Sequence, residues 1–407
     1  MGWKEHEQGQ LYCAQKLELE TAEVIAVRSV RSEVKFLVVF ASLLLSLSLP
    51  LAGCSSLLEA MMGTGSAAQR NSIPLVGSAE PILASERKPY SWPDGTMGLV
   101  RETDGTSYRF FAASAGFSVM TKGSLDDPIR DEIHELKIDG APARYHYFAG
   151  GPIYKSDRSG LLLMFYHSEI YTAPPGWVPF YSELGLARST DGGMTWKDLG
   201  LVITPHASVT SEYFQISHYS LDVGWGAYAI VGEYFYLYFT DLIHVGDQFR
   251  RVSLAVARAK IEDVLDAAEK GSEGTKWQKF YEGSWTEPGI GGRSSPLNEK
   301  DWNSFILMSD VAYSNYLGKY IGIVIGQPWP NTDLYWVESE DGIHWGNYRK
   351  LVDDEGHNFY ATLIGMEHNP HLVDREFFVY YINSKDYAVT GNRNKDGVLY
   401  RRQVTMQ

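Results

Sequence analysis

The sequence predicts an all-β fold, a five-bladed β-propeller with one short helical insertion, and three observations carry that prediction. Five aromatic or aliphatic runs recur, at residues 108–112, 161–166, 234–239, 320–325 and 377–381. They begin roughly 50 to 85 residues apart, the spacing of a repeated multi-strand unit. Around several of them the same layout returns: a first strand, a turn centred on Gly or Asp, the aromatic second strand, then a third strand feeding a charged turn.

The composition is that of an acidic globular protein. Thirty-six Lys and Arg stand against 50 Asp and Glu in 407 residues, a formal charge of −14. The cations are scattered and leave no patch for a phosphate backbone, so no nucleic-acid partner is expected. Two cysteines exclude a disulfide scaffold.

The first element is an address. Residues 34–51 read VKFLVVFASLLLSLSLPL, with Arg28 and Arg31 before it, Lys35 at its start and Ala52-Gly53-Cys54 after it. A basic flank, an apolar core and small residues at the end make an export signal. The core approaches the length of a membrane span, and Pro50 with Ala52 and Gly53 argues for cleavage instead. Met1 to Val27 are acidic and do not resemble the start of a signal, which fits a start codon placed too far upstream. Leu51-Ala52-Gly53-Cys54 resembles the lipobox of bacterial lipoproteins, which implies a lipid on Cys54 and loss of Cys13 with the leader. The expected location is the bacterial cell envelope, anchored in a membrane through Cys54. Ser55 without an adjacent Asp resembles the Gram-negative pattern for the outer membrane. The expected division is leader 1–53, flexible tether 54–88 and propeller 89–407.

Within the body, Gly151-Pro152-Ile153-Tyr154 precedes the second run and residues 228–233 precede the third. The second unit continues through residues 185–189 and the third through 253–258, ending near Trp196 and Trp277. Quartets of this kind bury both faces against their neighbours, which suits radial packing. A plain β-sandwich is the competing architecture, and the repeat spacing argues against it. One stretch reads as a helix, Lys260 to Gly271, with Ile261, Val264 and Leu265 at helical spacing and Gly271 as a stop.

Two turns match each other: Ser189-Thr190-Asp191-Gly192-Gly193-Met194-Thr195-Trp196 and Ser339-Glu340-Asp341-Gly342-Ile343-His344-Trp345. The Asp can accept from turn amides, the Gly can take positive φ, and the Trp can pack on the hairpin. They resemble the Asp-box of sialidases and other propellers, a structural device, so Asp191 and Asp341 are given no catalytic role. No Arg-Ile-Pro motif accompanies them, which sets a divergent sialidase behind other readings. The body from about Tyr90 is similar overall to five-bladed glycosidases such as glycoside hydrolase families 43, 117 and 130. That resemblance implies an Asp base, a second Asp and a Glu acid on separate blades.

Glycoside hydrolysis uses two carboxyl groups flanking the bond, one ionised and one protonated. The candidates are carboxylates beside strand starts and aromatic residues. Asp222 precedes Trp225; Asp310 opens the fourth unit; Glu169 ends the aromatic strand of the second; Glu287 follows Trp285 in a Gly-rich loop with Arg293; Asp94 follows Trp92-Pro93. Asp222 is read as base, Asp310 as the residue that orients substrate or tunes a partner, and Glu287 or Glu169 as acid. Trp225, Trp285, Arg293 and Asp94 are read as substrate-binding. The bland reading of each is a capped turn or a solvated side chain. Among the tryptophans (Trp92, Trp177, Trp225, Trp285, Trp329), most are expected in core or turn packing and one or two at the axis as a sugar platform.

His167, His206, His218, His357, His368 and His371 are scattered. His368-Asn369-Pro370-His371 has a usable metal spacing and no adjacent carboxylate, so no metal is expected. Protease, esterase, nucleotide and dinucleotide motifs are missing, and no cofactor is expected. The function expected is carbohydrate hydrolysis by paired carboxylates, with a glycan as partner. The rival is a non-catalytic propeller binding glycan or protein. Carboxylates converging at one end of the axis would favour the enzyme.

Overall fold

The computed structural model describes residues 73–84, 87, 89, 91–171, 180–208, 219–245, 248–273, 275–297, 305–326, 331–367, 369–387 and 397–407. The export signal, Cys54, Trp177, Trp329, His218 and His368 lie outside the described residues. Among the described residues, no helix is long and apolar enough to cross a membrane.

Two short strands, β1 (Pro74–Val76) and β2 (Glu80–Leu83), precede five blades. Blade I holds β3 (Gly98–Arg101), β4 (Tyr108–Ser114), β5 (Phe117–Gly123) and β6 (Glu132–Leu136). Blade II holds β7 (Ile138–Asp139), β8 (Tyr147–Lys155), β9 (Leu162–Tyr171), β10 (Phe180–Ser189) and β11 (Trp196–Ile203). Blade III runs β12 (Tyr219–Val231), β13 (Tyr234–Val245), β14 (Gln248–Lys260), helix α1 (Ile261–Lys270), β15 (Gln278–Tyr281) and β16 (Ser284–Pro288). Blade IV has β17 (Phe305–Ser314), β18 (Lys319–Gly326), β19 (Leu334–Ser339) and β20 (Trp345–Val352). Blade V has β21 (His357–Gly365), β23 (Glu376–Ser384) and β24 (Val398–Met406), and the short β22 (Leu372–Val373) between β21 and β23 pairs with β17 of blade IV.

The main strands of each blade pair antiparallel, while the two-residue strands β7 and β22 pair parallel with β11 and β17, and the inner strands are β3, β8, β12, β17 and β21. All five aromatic runs are second strands. Their side chains face a neighbouring blade on both sides, so Phe110, Phe111, Leu163, Leu237, Ile323 and Tyr380 are buried on alternating faces. That is why these segments read as unbroken apolar runs.

Each junction between consecutive blades is bridged by a side-chain hydroxyl donating to a backbone carbonyl. Ser118 reaches Gly150 at 3.1 Å between blades I and II, Tyr228 reaches Ile153 at 2.7 Å between II and III, and Tyr320 reaches Ile230 at 2.9 Å between III and IV. Ser309 reaches Ala361 at 2.9 Å between IV and V, and Tyr380 reaches Leu125 at 2.5 Å between V and I. The ring of blades is therefore closed.

Both Ser-x-Asp-Gly turns are built by their own side chains. The Asp191 carboxylate accepts from the amides of Met194 and Thr195, and Asp341 accepts from those of Ile343 and His344. Trp196 and Trp345 each donate the indole N–H to a turn carbonyl. Each turn then docks on the preceding blade: Arg109 donates to the Gly192 carbonyl, and Tyr238 donates to that of Gly342. Helix α1 sits where the sequence places it, with Lys260 as N-cap and Gly271 in the left-handed conformation at its end. Arg188 of blade II donates to the Ala268 and Glu269 carbonyls, complementing the negative end of the helix.

One boundary is corrected. The segment assigned to the tether contains β1 and β2, both paired antiparallel with β24. They complete blade V, and Leu83 is fully buried. Arg402 ties this segment down by donating to the Gly77 carbonyl at 2.8 Å. Short strands containing Pro74 and Pro81, with Leu75 exposed, carry no alternation long enough to read as sheet. A chain beginning at residue 89 should be less stable than one beginning at residue 70. Emptying the Leu83 site alone costs on the order of 3 kcal/mol, and urea unfolding of the two chains measures the difference; equal midpoints would show that β1 and β2 are dispensable.

Candidate functional site

The first strand of each blade runs away from one end of the axis, so residues at inner-strand starts gather at that end. Tyr147 is the first residue of β8 and Asp222 the fourth of β12. Asp94 lies just ahead of β3, its amide donating to the Ala113 carbonyl at 2.9 Å. Both of its oxygens are held by tyrosines from other blades: Tyr360 of β21 donates to Oδ1 at 2.7 Å and Tyr147 to Oδ2 at 3.2 Å. Tyr360 is buried and adopts φ 53°, an uncommon conformation for a residue with a side chain.

The Tyr147 ring meets the His167 ring edge-on, with centroids 5.6 Å apart. His167 and Glu169 alternate on β9 and so share a face, and the imidazole Nε2 is 2.9 Å from Glu169 Oε1. In register opposite Glu169 on β10 is Ser182. Its hydroxyl donates to Asp222 Oδ1 at 2.6 Å and accepts from the Val223 amide at 2.8 Å. Gly224 keeps the space between blades II and III open: a Cβ there would stand 2.7 Å from Asp222 Oδ1 and 3.3 Å from His167 Cε1. Asp94, Glu169 and Asp222, from blades I, II and III, thus surround His167, and all are half-buried.

Their protonation follows from this crowding. Burial drives Asp222 up to about 6, against the His167 charge and the Ser182 hydrogen bond, while Glu169 and Asp241 repel its ionised form. Burial also disfavours the charged forms of Glu169 and His167, but their mutual hydrogen bond and attraction win. Glu169 is held below the usual carboxylate range and His167 above the usual imidazole range, helped by Asp222 and Asp94. One end of the axis therefore holds an ion pair beside a carboxyl group that stays protonated into mildly acidic pH.

The other candidates lie elsewhere. Asp310, on the inner strand of blade IV, is buried with both oxygens occupied by backbone amides, those of Val311 at 2.9 Å and Leu363 at 2.8 Å. It ties β17 to β21, and the described contacts do not join it to the group around His167. Glu287 sits on β16, the outermost strand of blade III, paired with Arg293 at 2.8 Å. Far from the inner strand, it cannot join the group around His167. Trp285 is packed among Tyr236, Phe280 and Arg258 on the same rim and offers no axial platform. Arg293 is exposed, its guanidinium 4.3 Å from the Tyr281 ring. Trp92 is fully buried in the core. Trp225 lies on β12 three residues past Asp222, and its side chain is outside the described set.

Sequence reasoning left His167 among scattered histidines and did not single out Tyr147, Tyr360 or Ser182. The His-x-Glu alternation at the end of an aromatic strand was an available signal for His167. Nothing local marks Tyr360, which lies 266 positions from Asp94. His357 is buried and stacked on Phe359 and Tyr387, and His371 is pushed down to about 4 by burial, so both belong to the packing. His206 is exposed. Among the described residues, no group of three His, Cys, Asp or Glu is placed to hold a metal ion.

No protein-family model matches the chain, and no curated protein does. Solved structures do. An alpha-L-arabinofuranosidase from Lactobacillus brevis is 10% identical over 80% of this chain and 92% of its own, with a TM-score of 0.50. Zg3597, a family 117 glycoside hydrolase from Zobellia galactanivorans, is 11% identical over 83% and 92%, with a TM-score of 0.48. The catalytic domain of the Coprinopsis cinerea GH62 alpha-L-arabinofuranosidase is 13% identical over 81% and 97%, with a TM-score of 0.48. At such identities the likeness concerns the fold alone, and that fold is the five-bladed propeller expected from the sequence.

Asp310 gives a stability prediction. Burial raises it from 3.8 to about 7 against the hydrogen bonds from Leu363 and Val311. Between those values the folded chain binds a proton the unfolded chain has released, so stability falls as pH rises from about 4 to 7. The full effect is on the order of 4 kcal/mol at 1.36 kcal/mol per pH unit. Urea midpoints of the parent and Asp310→Asn across this range should show a flatter profile in the variant; parallel profiles would contradict the assignment.

Proposed function

We propose that the protein is a glycoside hydrolase acting from the mouth formed by Asp94, Glu169 and Asp222. The observation that carries this is the arrival of three carboxylates from three blades at one end of the axis, two of which, Asp222 and Glu169, are pushed in opposite directions by their surroundings. Asp222, first read as the base, is better suited as general acid because burial keeps its proton to about pH 6. It gives that proton to the leaving glycosidic oxygen as the bond to the anomeric carbon breaks. Asp94, fixed by Tyr147 and Tyr360, is the base: it takes a proton from water while the water oxygen bonds to that carbon. Glu169, paired with His167, holds negative charge beside the cationic transition state and sets the field felt by Asp222. A mouth lined by carboxylates favours this reading over a non-catalytic binder. We further propose that a lipid on Cys54 holds the protein in the bacterial envelope, a reading supported by the basic flank, apolar run and Leu-Ala-Gly-Cys ending of the leader.

The Lactobacillus brevis protein of like fold is an alpha-L-arabinofuranosidase, so arabinofuranosides head the substrate panel. Asp222→Asn and Asp94→Asn should each lower kcat on an oligosaccharide by about 10²- to 10⁴-fold. Asp222→Asn should lose much less on a 4-nitrophenyl glycoside, whose leaving group departs without a proton. In the parent, kcat/KM should fall as pH rises through about 6. Unchanged turnover in both variants would overturn the assignment, and no turnover across a broad panel would favour the binder.

A further inference from the structure

The rim group misplaced from the axis has a setting of its own. Glu287 lines a cavity of about 570 Å³ at the edge of blade III. It lies where β14 passes into α1, which is the end of the third strand and so the end of the blade opposite the mouth. Its volume falls in the range of small-molecule sites.

The lining has two halves. Val202, Pro288, Ile290 and the Tyr234 ring make an apolar wall, with Ile290 exposed at 53%. Tyr234 is stiffened from one side by the Arg258 guanidinium, 4.3 Å from its centroid. Around this wall stand Lys260, Lys276, Asp263, Glu287 and Gln278. Lys260, Lys276, Asp263 and Gln278 point no hydrogen-bonding capacity into a described side-chain bond, apart from a distant 3.8 Å pairing of Lys260 with Glu233. Lys260 and Lys276 stand against Asp263 and Glu287, and Arg293 pairs with Glu287 at 2.8 Å, so the charges are of both signs and interspersed, with no concentrated field of one sign to select an ion. An apolar wall with an aromatic ring, edged by both donors and acceptors, matches a molecule with an apolar face and hydroxyls around its edge.

We infer that this cavity is an accessory binding site for a neutral glycan, separate from the mouth. It would hold one stretch of a polysaccharide while another reaches the axis, raising the effective concentration of the chain at the mouth. Binding here does not depend on the hydrolase reading, because the class of ligand follows from the lining.

The test uses the full chain with xylotriose and cellotriose as probes, followed by saturation-transfer NMR and calorimetry. Lys276→Ala/Gln278→Ala and, separately, Ile290→Arg change exposed side chains outside the mouth, and thermal unfolding checks that both variants keep the parent stability. Each should weaken trisaccharide binding about tenfold, the double variant by losing one or two hydrogen bonds and Ile290→Arg by setting a charge in the apolar wall, with hydrolysis of a 4-nitrophenyl glycoside unchanged. Trisaccharide binding equal to the parent in both variants, or no binding by the parent, overturns the inference. Binding that depends on these residues in a protein that hydrolyses nothing would uphold the accessory site and sink the hydrolase reading alone.

Discussion

Everything at the mouth depends on how closely the inner strands of blades I and II approach. A Cβ on Gly98 would stand 2.1 Å from the Gly151 carbonyl oxygen, and one on Gly151 would stand 2.2 Å from that of Thr96. Neither position admits a side chain without moving backbone. This contact brings the Asp94 loop against Tyr147 and, through it, against His167 and Glu169. Separated by the width of one methyl group, blades I and II would leave Asp94 without the 3.2 Å hydrogen bond that links it to the rest. The same packing places Met97, whose amide donates to Thr362 of β21 at 3.0 Å, so blade V and Tyr360 follow the same constraint.

The electrostatics follow from that geometry. Three half-buried carboxylates share one imidazole, and a single cation cannot neutralise them all. The shortest contact, between His167 and Glu169, captures the charge, and Asp222 is left with a serine hydroxyl and the repulsion of Glu169 and Asp241. The division into an ionised and a protonated carboxyl thus follows first from the burial of Asp222 and then from Glu169 standing nearer the histidine.

Much of the fold was legible because second strands are buried on both faces and advertise it as continuous apolar runs. The turns were legible because their Asp, Gly and Trp act within eight residues. The site was legible only in part. Asp222 and Glu169 sit where an apolar strand starts or ends, a local signal that marks both as candidates, and the structure brings the two to one end of the axis. Glu287 carries the same local signal in Trp-Thr-Glu-Pro-Gly, and only the count of strands from the axis tells the rim from the mouth. Asp310 differs for another reason: its strand is an inner one, but its carboxylate accepts from two backbone amides that tie β17 to β21. The tyrosines that fix Asp94 come from other blades, and no spacing in the chain encodes that meeting. Strands β1 and β2 escaped notice because an edge strand of three or four residues needs no pattern beyond a partner.

The two ends of the blades carry different burdens. At the end where third strands finish, the Asp191 and Asp341 turns, the Arg188 contact with α1 and the tyrosine-to-carbonyl bonds all satisfy polar groups within the chain. At the other end, Asp94, Glu169 and Asp222 keep polar atoms half-buried around a histidine, an arrangement with a desolvation cost and little return in stability. A fold can bear such a cost only if it is stabilised elsewhere. The closed ring of hydroxyl-to-carbonyl bonds from blade I to blade V contributes that stability, and three of its bonds, from Tyr228, Tyr320 and Tyr380, involve none of the residues around His167.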